Sequence, residues 1–100
     1  MDKYNVSLTS RALRDLDGIY VYIAQTLLVP ETALGMVDKI EKEILSLEEM
    51  PYRFPERKTG AYANKGYRQL LVGNYTVIYR IDEKRRQVIV ITIRYSPSQC

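Results

Sequence analysis

The residues of this chain that could act on a substrate are arginines, lysines and tyrosines, because the 100-residue sequence has no histidine and one cysteine. Without histidine, a Ser-His-Asp triad, a Cys-His pair and a histidine-based metal site are excluded. Neither Gly-x-Gly-x-x-Gly nor Gly-x-x-x-x-Gly-Lys-Ser/Thr occurs, so we expect no metal and no cofactor. The remaining groups could cleave RNA, in which the ribose 2′-OH attacks and cations stabilise the phosphorane.

The positive charges are concentrated in the second half of the chain. Residues 1–50 carry five Lys/Arg and nine Asp/Glu, a balance of −4, whereas residues 51–100 carry ten Lys/Arg and three Asp/Glu, a balance of +7. Clustered cations attract anionic partners, although basic turns can also serve only to keep a sheet soluble and to block edge pairing. The candidate recognition residues are Arg57, Lys58, Lys65, Arg80, Arg94 and Tyr95.

The first half of the chain predicts a strand followed by two helices. Polar and apolar residues alternate over Tyr4–Leu8, and Thr9 or Ser10 can cap the helix that follows. Apolar residues then recur at spacings of three and four, which indicates an amphipathic helix; they are Leu13, Leu16, Ile19, Tyr20, Ile23, Ala24 and Leu27. Gly18 interrupts this pattern, and we expect close packing against a neighbour to explain it.

A break at Val29-Pro30 separates the two predicted helices, because proline suits the first turn of the second one. The second apolar stripe contains Ala33, Val37, Ile40, Ile44 and Leu47. We expect the two helices to form an antiparallel hairpin, with Pro51 ending the second. Residues 51–66 then predict a long basic loop, which is either functional or a structural linker.

Three β-rich runs follow, separated by the turn signals Gly73-Asn74 and Asp82–Arg86. The predicted strands are Tyr67–Val72, Tyr75–Ile81 and Gln87–Tyr95, the last being central and most buried, with Ser96-Pro97-Ser98 ending it. The prediction is one α+β domain over residues 1–100, of order β-α-α-β-β-β, in which a twisted, mainly antiparallel sheet packs against the helical hairpin.

Strand alternation assigns different roles to the arginines and carboxylates. A two-residue turn places Arg68 opposite Tyr79, and we expect Arg68 to pair with an acidic residue of the helices. We interpret Arg80 as a solvated charge at a strand end in preference to a ligand contact. Arg94 and Tyr95 are therefore the favoured functional pair. Asp15 and Asp17 lie two residues apart on a helix, so we expect both to be solvated.

The ordered set of segments resembles the RelE/ParE superfamily of toxins from bacterial type II toxin–antitoxin modules, also known as plasmid stabilisation proteins. The resemblance covers nearly the whole chain; the segments that carry it are YNVSLTSRALRDLDGIYVYIA, LEEMP, YRQLLVGNYTVIYRI and VIVITIRY. It implies a toxin that a cognate antitoxin wraps and neutralises. It also implies that promoter DNA is bound only indirectly, through the antitoxin.

The resemblance implies two alternative activities. ParE-like members inhibit DNA gyrase, whereas RelE-like members are metal-independent endoribonucleases that cleave mRNA on the ribosome. In the second case Lys58, Lys65 and Arg94 would bind phosphate, and Tyr95 would be an acid/base or stacking group. A third alternative is an inactive toxin homologue that binds its antitoxin as a co-repressor.

Two departures from the ribonuclease pattern favour the ParE-like alternative. In the ribonuclease branch an arginine typically follows the tyrosine that opens the second meander strand, whereas here Thr76 follows Tyr75. That branch also often has a basic residue or histidine beyond the last strand, where this chain has Ser96-Pro97-Ser98. Lys58, Lys65 and Arg57 could partly replace these groups, so whether the chain is an enzyme is left open.

The sequence predicts a cytoplasmic protein that makes no contact with a membrane. It has no charged-then-apolar signal peptide and no apolar run near the roughly 20 residues that span a bilayer. Cys100, the single cysteine, cannot form an internal disulfide, which is typical of a reducing compartment.

Overall fold

The structure, a computed structural model, describes residues 3–58, 60, 62, 63 and 65–96. The elements are β1 (Asn5–Leu8), α1 (Ser10–Val21), α2 (Pro30–Leu45), β2 (Arg68–Val72), β3 (Tyr75–Asp82) and β4 (Gln87–Tyr95). The predicted α+β class and β-α-α-β-β-β order are therefore confirmed. Pro97, Ser98 and Cys100, on which the predicted strand end and the lone thiol rest, lie outside the described residues.

The four strands form one sheet in the order β1-β4-β3-β2. The pairs β2·β3 and β3·β4 are antiparallel and β1·β4 is parallel, so the sheet is mainly antiparallel as predicted. β4 is a central strand, but the longest buried run lies on β3, where Tyr75–Tyr79 are all buried. The prediction that β4 is the most buried strand is wrong because part of its apolar run stays half-exposed.

The first helix is capped by Thr9, whose hydroxyl oxygen accepts a hydrogen bond from the Ala12 N–H at 3.1 Å. After Val21 the helix widens into a π-helical turn over Tyr22–Thr26. Its buried side is narrower than the predicted stripe: Leu16 is buried, whereas Leu13 is 56% exposed. The expectation that Leu13 faces the core is therefore wrong, and Ala12 occupies that position, with no exposed surface.

The second helix has Pro30 in its first turn and ends at Leu45, six residues before the proline expected to end it. Two 3₁₀ turns, Ser46–Glu48 and Pro51–Arg53, fill the interval. Its predicted apolar stripe is confirmed, because Ala33, Ile40, Ile44 and Leu47 are buried and Val37 packs against them. Proline therefore opens a new turn here instead of stopping the helix.

The core lies between the helices and one side of the sheet, which we call the helix face. Its strand residues are Leu70, Val72, Tyr75, Val77, Tyr79, Val88, Val90 and Ile93. Tyr79 has no exposed surface, and its hydroxyl donates to the Pro51 carbonyl oxygen at 2.6 Å. Within the described ranges, no helix is long and apolar enough to cross a membrane.

The opposite side of the sheet, which we call the loop face, is covered in part by the connection between α2 and β2. Pro55 accepts a backbone hydrogen bond from Gln69 at 3.1 Å, and Arg57 donates one to Tyr67 at 2.7 Å. Ile78, whose neighbours on β3 face the helices, has no exposed surface. The basic segment is therefore attached to the β2 edge and is not a free linker.

Candidate functional site

Arg94 lies on the loop face, next to an aromatic side chain of the basic loop. Its guanidinium carbon is 5.4 Å from the ring centroid of Tyr62, a cation–π geometry. Tyr62 in turn meets Tyr67 edge-on, with ring centroids 5.0 Å apart. Thr76 is the cross-strand neighbour of Arg94 and is buried. The loop face thus presents a cation and two tyrosines close to one another.

The other cations of the candidate set lie on the basic loop and on β3. Arg57 is half-buried and donates to the Gln69 side-chain oxygen at 2.8 Å. Lys58 and Lys65 are exposed on the loop. Arg80 is exposed on the same face as Arg94 but four residues beyond its cross-strand partner, about 13 Å along the strand.

Tyr95 is not part of this group, because it lies on the helix face of the sheet. Its ring packs on Tyr75, with centroids 5.4 Å apart, and its side chain is 64% exposed. Burial raises the pKa of Tyr75, the ring beneath it. The structure therefore separates Arg94 and Tyr95, which the sequence suggested as one functional pair, onto opposite faces of the sheet.

A β-bulge explains this separation. Ile78 pairs with Thr92 while Tyr79 pairs with Val90, so Ile91 is an extra residue in β4. Val90 and Ile93, three positions apart, both belong to the helix-side core. Since side chains alternate along a regular strand, the same residues paired without a bulge would turn Arg94 toward the helices.

Tyr95 borders an apolar groove of about 750 Å³ between the helices and the ends of β3 and β4. Its wall includes Ile19, Tyr22, Leu27, Met36, Tyr75 and Tyr95, with Arg14 and Asp15 at one side. Tyr22 and Leu27 are 53% and 52% exposed, so much of this apolar surface is open. Exposed apolar surface of this kind marks protein interaction sites.

Gly18 also borders the groove, and its surroundings contradict the sequence-based expectation. A Cβ built on Gly18 would meet no atom within 4 Å. Close packing therefore does not account for this glycine, and its missing side chain instead adds room to the groove.

Arg68 has a structural role, but its acidic partner is not on a helix. Its guanidinium donates to the carbonyl oxygens of Tyr52 and Phe54, and it lies 3.8 Å from the Glu56 carboxylate. All three partners belong to the segment between α2 and β2. The predicted pairing with a helix is therefore wrong, because the basic loop starts beside Arg68 and supplies its partners first.

Asp15 makes a contact between α1 and β4 that sequence reasoning missed. Its carboxylate accepts from the Thr92 hydroxyl and from the Ile93 N–H, the latter at 3.1 Å. The prediction that Asp15 is solvated is therefore wrong, whereas Asp17 is exposed as expected. Asp15 lies three residues after buried Ala12, and this helical spacing was the signal that it faces inward.

A second carboxylate, Glu83, joins three parts of the chain at the far end of the sheet. The hydroxyls of Tyr4 and Tyr52 donate to the same Glu83 oxygen at 2.8 and 2.7 Å, and Arg86 lies 3.4 Å from the other. These hydrogen bonds lower the pKa of Glu83 and raise the pKa of both tyrosines. Among the described residues, no group of three or more potential metal ligands occurs.

Known proteins share this fold. The family model of the ParE toxin of type II toxin–antitoxin system, parDE, matches residues 6–97. The fold of this chain is similar to that of a chain in the structure of a chromosomal ParDE system from P. aeruginosa, with a TM-score of 0.78. The two chains are 21% identical, and the match covers 96% of this chain and 99% of that one. No curated protein sequence matches the chain significantly.

Two further structures share the fold. The RelBE2 toxin–antitoxin complex from Mycobacterium tuberculosis gives a TM-score of 0.65 at 23% identity, covering 98% of this chain and 97% of that one. The YoeB/ParE toxin from Agrobacterium tumefaciens gives 0.61 at 20% identity, covering 91% and 96%. The chain belongs to the ParE toxin family. It is the toxin of a type II toxin–antitoxin system, and its partner is an antitoxin.

Proposed function

We propose that this toxin inhibits DNA gyrase by binding it through the loop face, with no hydrolytic step of its own. The observation that carries the proposal is the separation of Arg94 from Tyr95 across the sheet. A ribonuclease built from the candidate residues needs the phosphate-binding cation and the acid/base tyrosine beside one scissile bond. Membership of the ParE family gives independent support.

The loop face has the composition of a protein-binding surface. Arginine and tyrosine are enriched among the residues that dominate interface energies, because each combines a broad contact area with polar groups. Tyr62 contacts both Arg94 and Tyr67 there, so these side chains lose little conformational freedom on binding. Lys58 and Lys65 on the loop add positive charge that accelerates encounter with an acidic surface.

The test is a supercoiling assay with purified gyrase, relaxed plasmid and ATP. We expect the wild-type chain to inhibit supercoiling and Arg94→Ala to require at least tenfold more protein. Arg11→Ala, which removes the same charge from an exposed position on α1, is the matched control and should match the wild type. Full supercoiling at saturating wild-type protein contradicts the proposal.

A cell-free translation reaction distinguishes the alternative activities. Ribosome-dependent, codon-registered cuts in mRNA that disappear with Arg94→Ala would make the chain an mRNA endonuclease. Intact mRNA and active gyrase, together with normal growth of induced cells, would indicate an inactive homologue that only binds its antitoxin. Promoter DNA would then be bound through that antitoxin.

We propose further that the antitoxin occupies the groove beside Tyr95. The groove is apolar and open, and it suits an amphipathic segment that covers Tyr22 and Leu27. Gly18 provides a clean test, because a Cβ there meets no atom within 4 Å and the residue lines the groove. We expect Gly18→Gln to weaken antitoxin binding at least tenfold by calorimetry without lowering Tm.

Asp17→Gln is the matched control, since it adds the same side chain one residue earlier at an exposed position. It should leave antitoxin affinity unchanged. Equal affinity of Gly18→Gln and the wild type would show that the antitoxin binds elsewhere.

A further inference from the structure

We infer that Asp15 is a positioning residue that holds β4 in its bulged register and thereby places Arg94 on the loop face. Its effect on the target rests on the proposed function, whereas its effect on β4 does not. The inference follows from the outer edge of β4, from the bulge itself and from the burial of Thr92.

The outer edge of β4 loses its strand partner halfway along. The last paired residues of β1 and β4 are Leu8 and Val90, yet β4 continues to Tyr95. Beyond Val90, side chains replace the missing strand: the Thr9 hydroxyl donates to the Ile91 carbonyl oxygen at 2.8 Å, and Asp15 accepts from the Ile93 N–H. The start of α1 thus completes the edge that β1 leaves open.

These side-chain contacts fall at the bulge and just after it. Ile91 is the extra residue of the bulge, and Thr92 and Ile93 are the next two. A regular register of β4 would shift both residues by one position relative to α1. Asp15 would then face a different part of the strand, so its two hydrogen bonds are specific to the bulged register.

Burial of Thr92 strengthens the preference of the Asp15 contacts for the bulged register. Thr92 is only 1% exposed, so water cannot replace the partner of its hydroxyl. The Asp15 carboxylate supplies that partner and bonds the next backbone N–H through the same oxygen. An acceptor at this one point therefore fixes two successive residues immediately before Arg94.

The role requires an acceptor oxygen, not a charge, which separates it from a direct contact with a partner's cation. Asparagine can place its carbonyl oxygen where the Asp15 oxygen lies, whereas alanine leaves both donors without it. Asp15→Asn should therefore preserve β4 and Asp15→Ala should not. Asp17→Ala, on the exposed side of the same helix, is the control.

The primary measurement is NMR of the full chain. In Asp15→Ala we expect the Ile93 amide to exchange at least tenfold faster and the nuclear Overhauser contact between the Arg94 side chain and the Tyr62 ring to disappear. Asp15→Asn and Asp17→Ala should retain both. If Asp15→Ala does not fold, Thr92→Val removes one of the two bonds while keeping the side-chain volume, and we expect Ile93 exchange between the wild-type and alanine values.

Gyrase inhibition, measured well below Tm, provides the second readout. We expect Asp15→Ala to lose at least fivefold in inhibition and Asp15→Asn to stay within twofold of the wild type. A lower Tm with unchanged Ile93 exchange and Arg94–Tyr62 contact would overturn the inference, because Asp15 would then only stabilise the fold. So would a loss in Asp15→Asn equal to that in Asp15→Ala. Wild-type protein that leaves gyrase active overturns the proposed function alone, since the NMR results still decide the role of Asp15.

Discussion

Tyr79 illustrates how one buried residue connects the sheet to the segment that carries the basic loop. Its ring lies in the core opposite Arg68, while its hydroxyl holds the Pro51 carbonyl oxygen. Burial raises the pKa of Tyr79 to about 12, against an ordinary value of about 10. The folded chain therefore favours the neutral phenol, and ionisation opposes folding.

The consequence is a loss of stability in alkaline solution. The folded-state pKa is above the unfolded one, so the contribution of Tyr79 is complete below pH 10 and declines between about pH 10 and 12. Its size is on the order of 2 kcal/mol. We expect Tyr79→Phe to be less stable at pH 8 but to lose less of its free energy of unfolding between pH 9 and 11, measured by urea denaturation. Tyr20→Phe, a half-buried position on α1, is the control.

Glu83 gives the opposite dependence. Hydrogen bonds from Tyr52 and Tyr4 hold its pKa below the usual value, so its contribution is present at neutral pH and is lost as the pH falls through the folded-state pKa. We expect Glu83→Gln to lower Tm at pH 7 and to narrow the gap to the wild type below pH 4. Glu41→Gln on the exposed side of α2 serves as the control. Parallel curves of Tm against pH for the wild type and Glu83→Gln would contradict this role.

At the scale of elements, the basic loop is held at its start by Arg68. This guanidinium bonds two carbonyl oxygens of the loop and lies over the Tyr52 ring, 5.1 Å from its centroid. Its side chain is only 19% exposed and its hydrogen bond to the Phe54 carbonyl oxygen is partly buried, so removing it leaves that acceptor less well satisfied. The loop's residues beyond this point are attached by Arg57 and by the Tyr62–Arg94 contact.

We expect Arg68→Gln to cost about 1–3 kcal/mol in the free energy of unfolding and to make the loop more sensitive to proteolysis. Limited digestion with trypsin, mapped by mass spectrometry, measures the second effect at Lys58 and Lys65. Arg85→Gln in the exposed turn between β3 and β4 is the control. Unchanged cleavage rates in Arg68→Gln would mean that other contacts hold the loop.

The sequence predicted the elements well because their signals are local. Apolar spacing located both helices, and Gly73-Asn74 located the hairpin whose register pairs Arg68 with Tyr79 as expected. The face of the sheet on which each β4 side chain lies was harder to predict, because simple alternation along a strand does not account for the extra residue Ile91. Asp15 was misread for a related reason: its partners lie 77 and 78 residues away in sequence.

At the scale of the whole molecule, the two halves of the chain differ in net charge and form different surfaces. The balance is −4 over residues 1–50 and +7 over residues 51–100. The apolar groove lies largely against the helices of the first half, whereas the loop face belongs to the second half. Two partners of different chemistry can therefore be bound on opposite sides of one sheet.

This difference predicts different responses to salt. Raising NaCl from 50 to 500 mM should weaken gyrase inhibition severalfold, because screening acts on the exposed cations of the loop face. Antitoxin binding at the apolar groove should change less over the same range. Gyrase inhibition and antitoxin binding are each measured over this range of NaCl concentrations. A double variant with Lys58→Ala and Lys65→Ala should show a weaker dependence of gyrase inhibition on salt. Equal salt slopes for the two partners would contradict the division.

The bulge in β4 also makes the pairing of the strand decide which face of the sheet each later side chain occupies. Residues before Ile91 and residues after it follow two different frames of alternation, much as an inserted nucleotide shifts a reading frame. A regular pairing of the same residues, with Ile91 opposite Ile78, would exchange the sides of Arg94 and Tyr95 without changing either of them. For relatives of this fold, the presence or absence of a bulge between the β3–β4 turn and the arginine therefore carries information that the identity of the arginine does not.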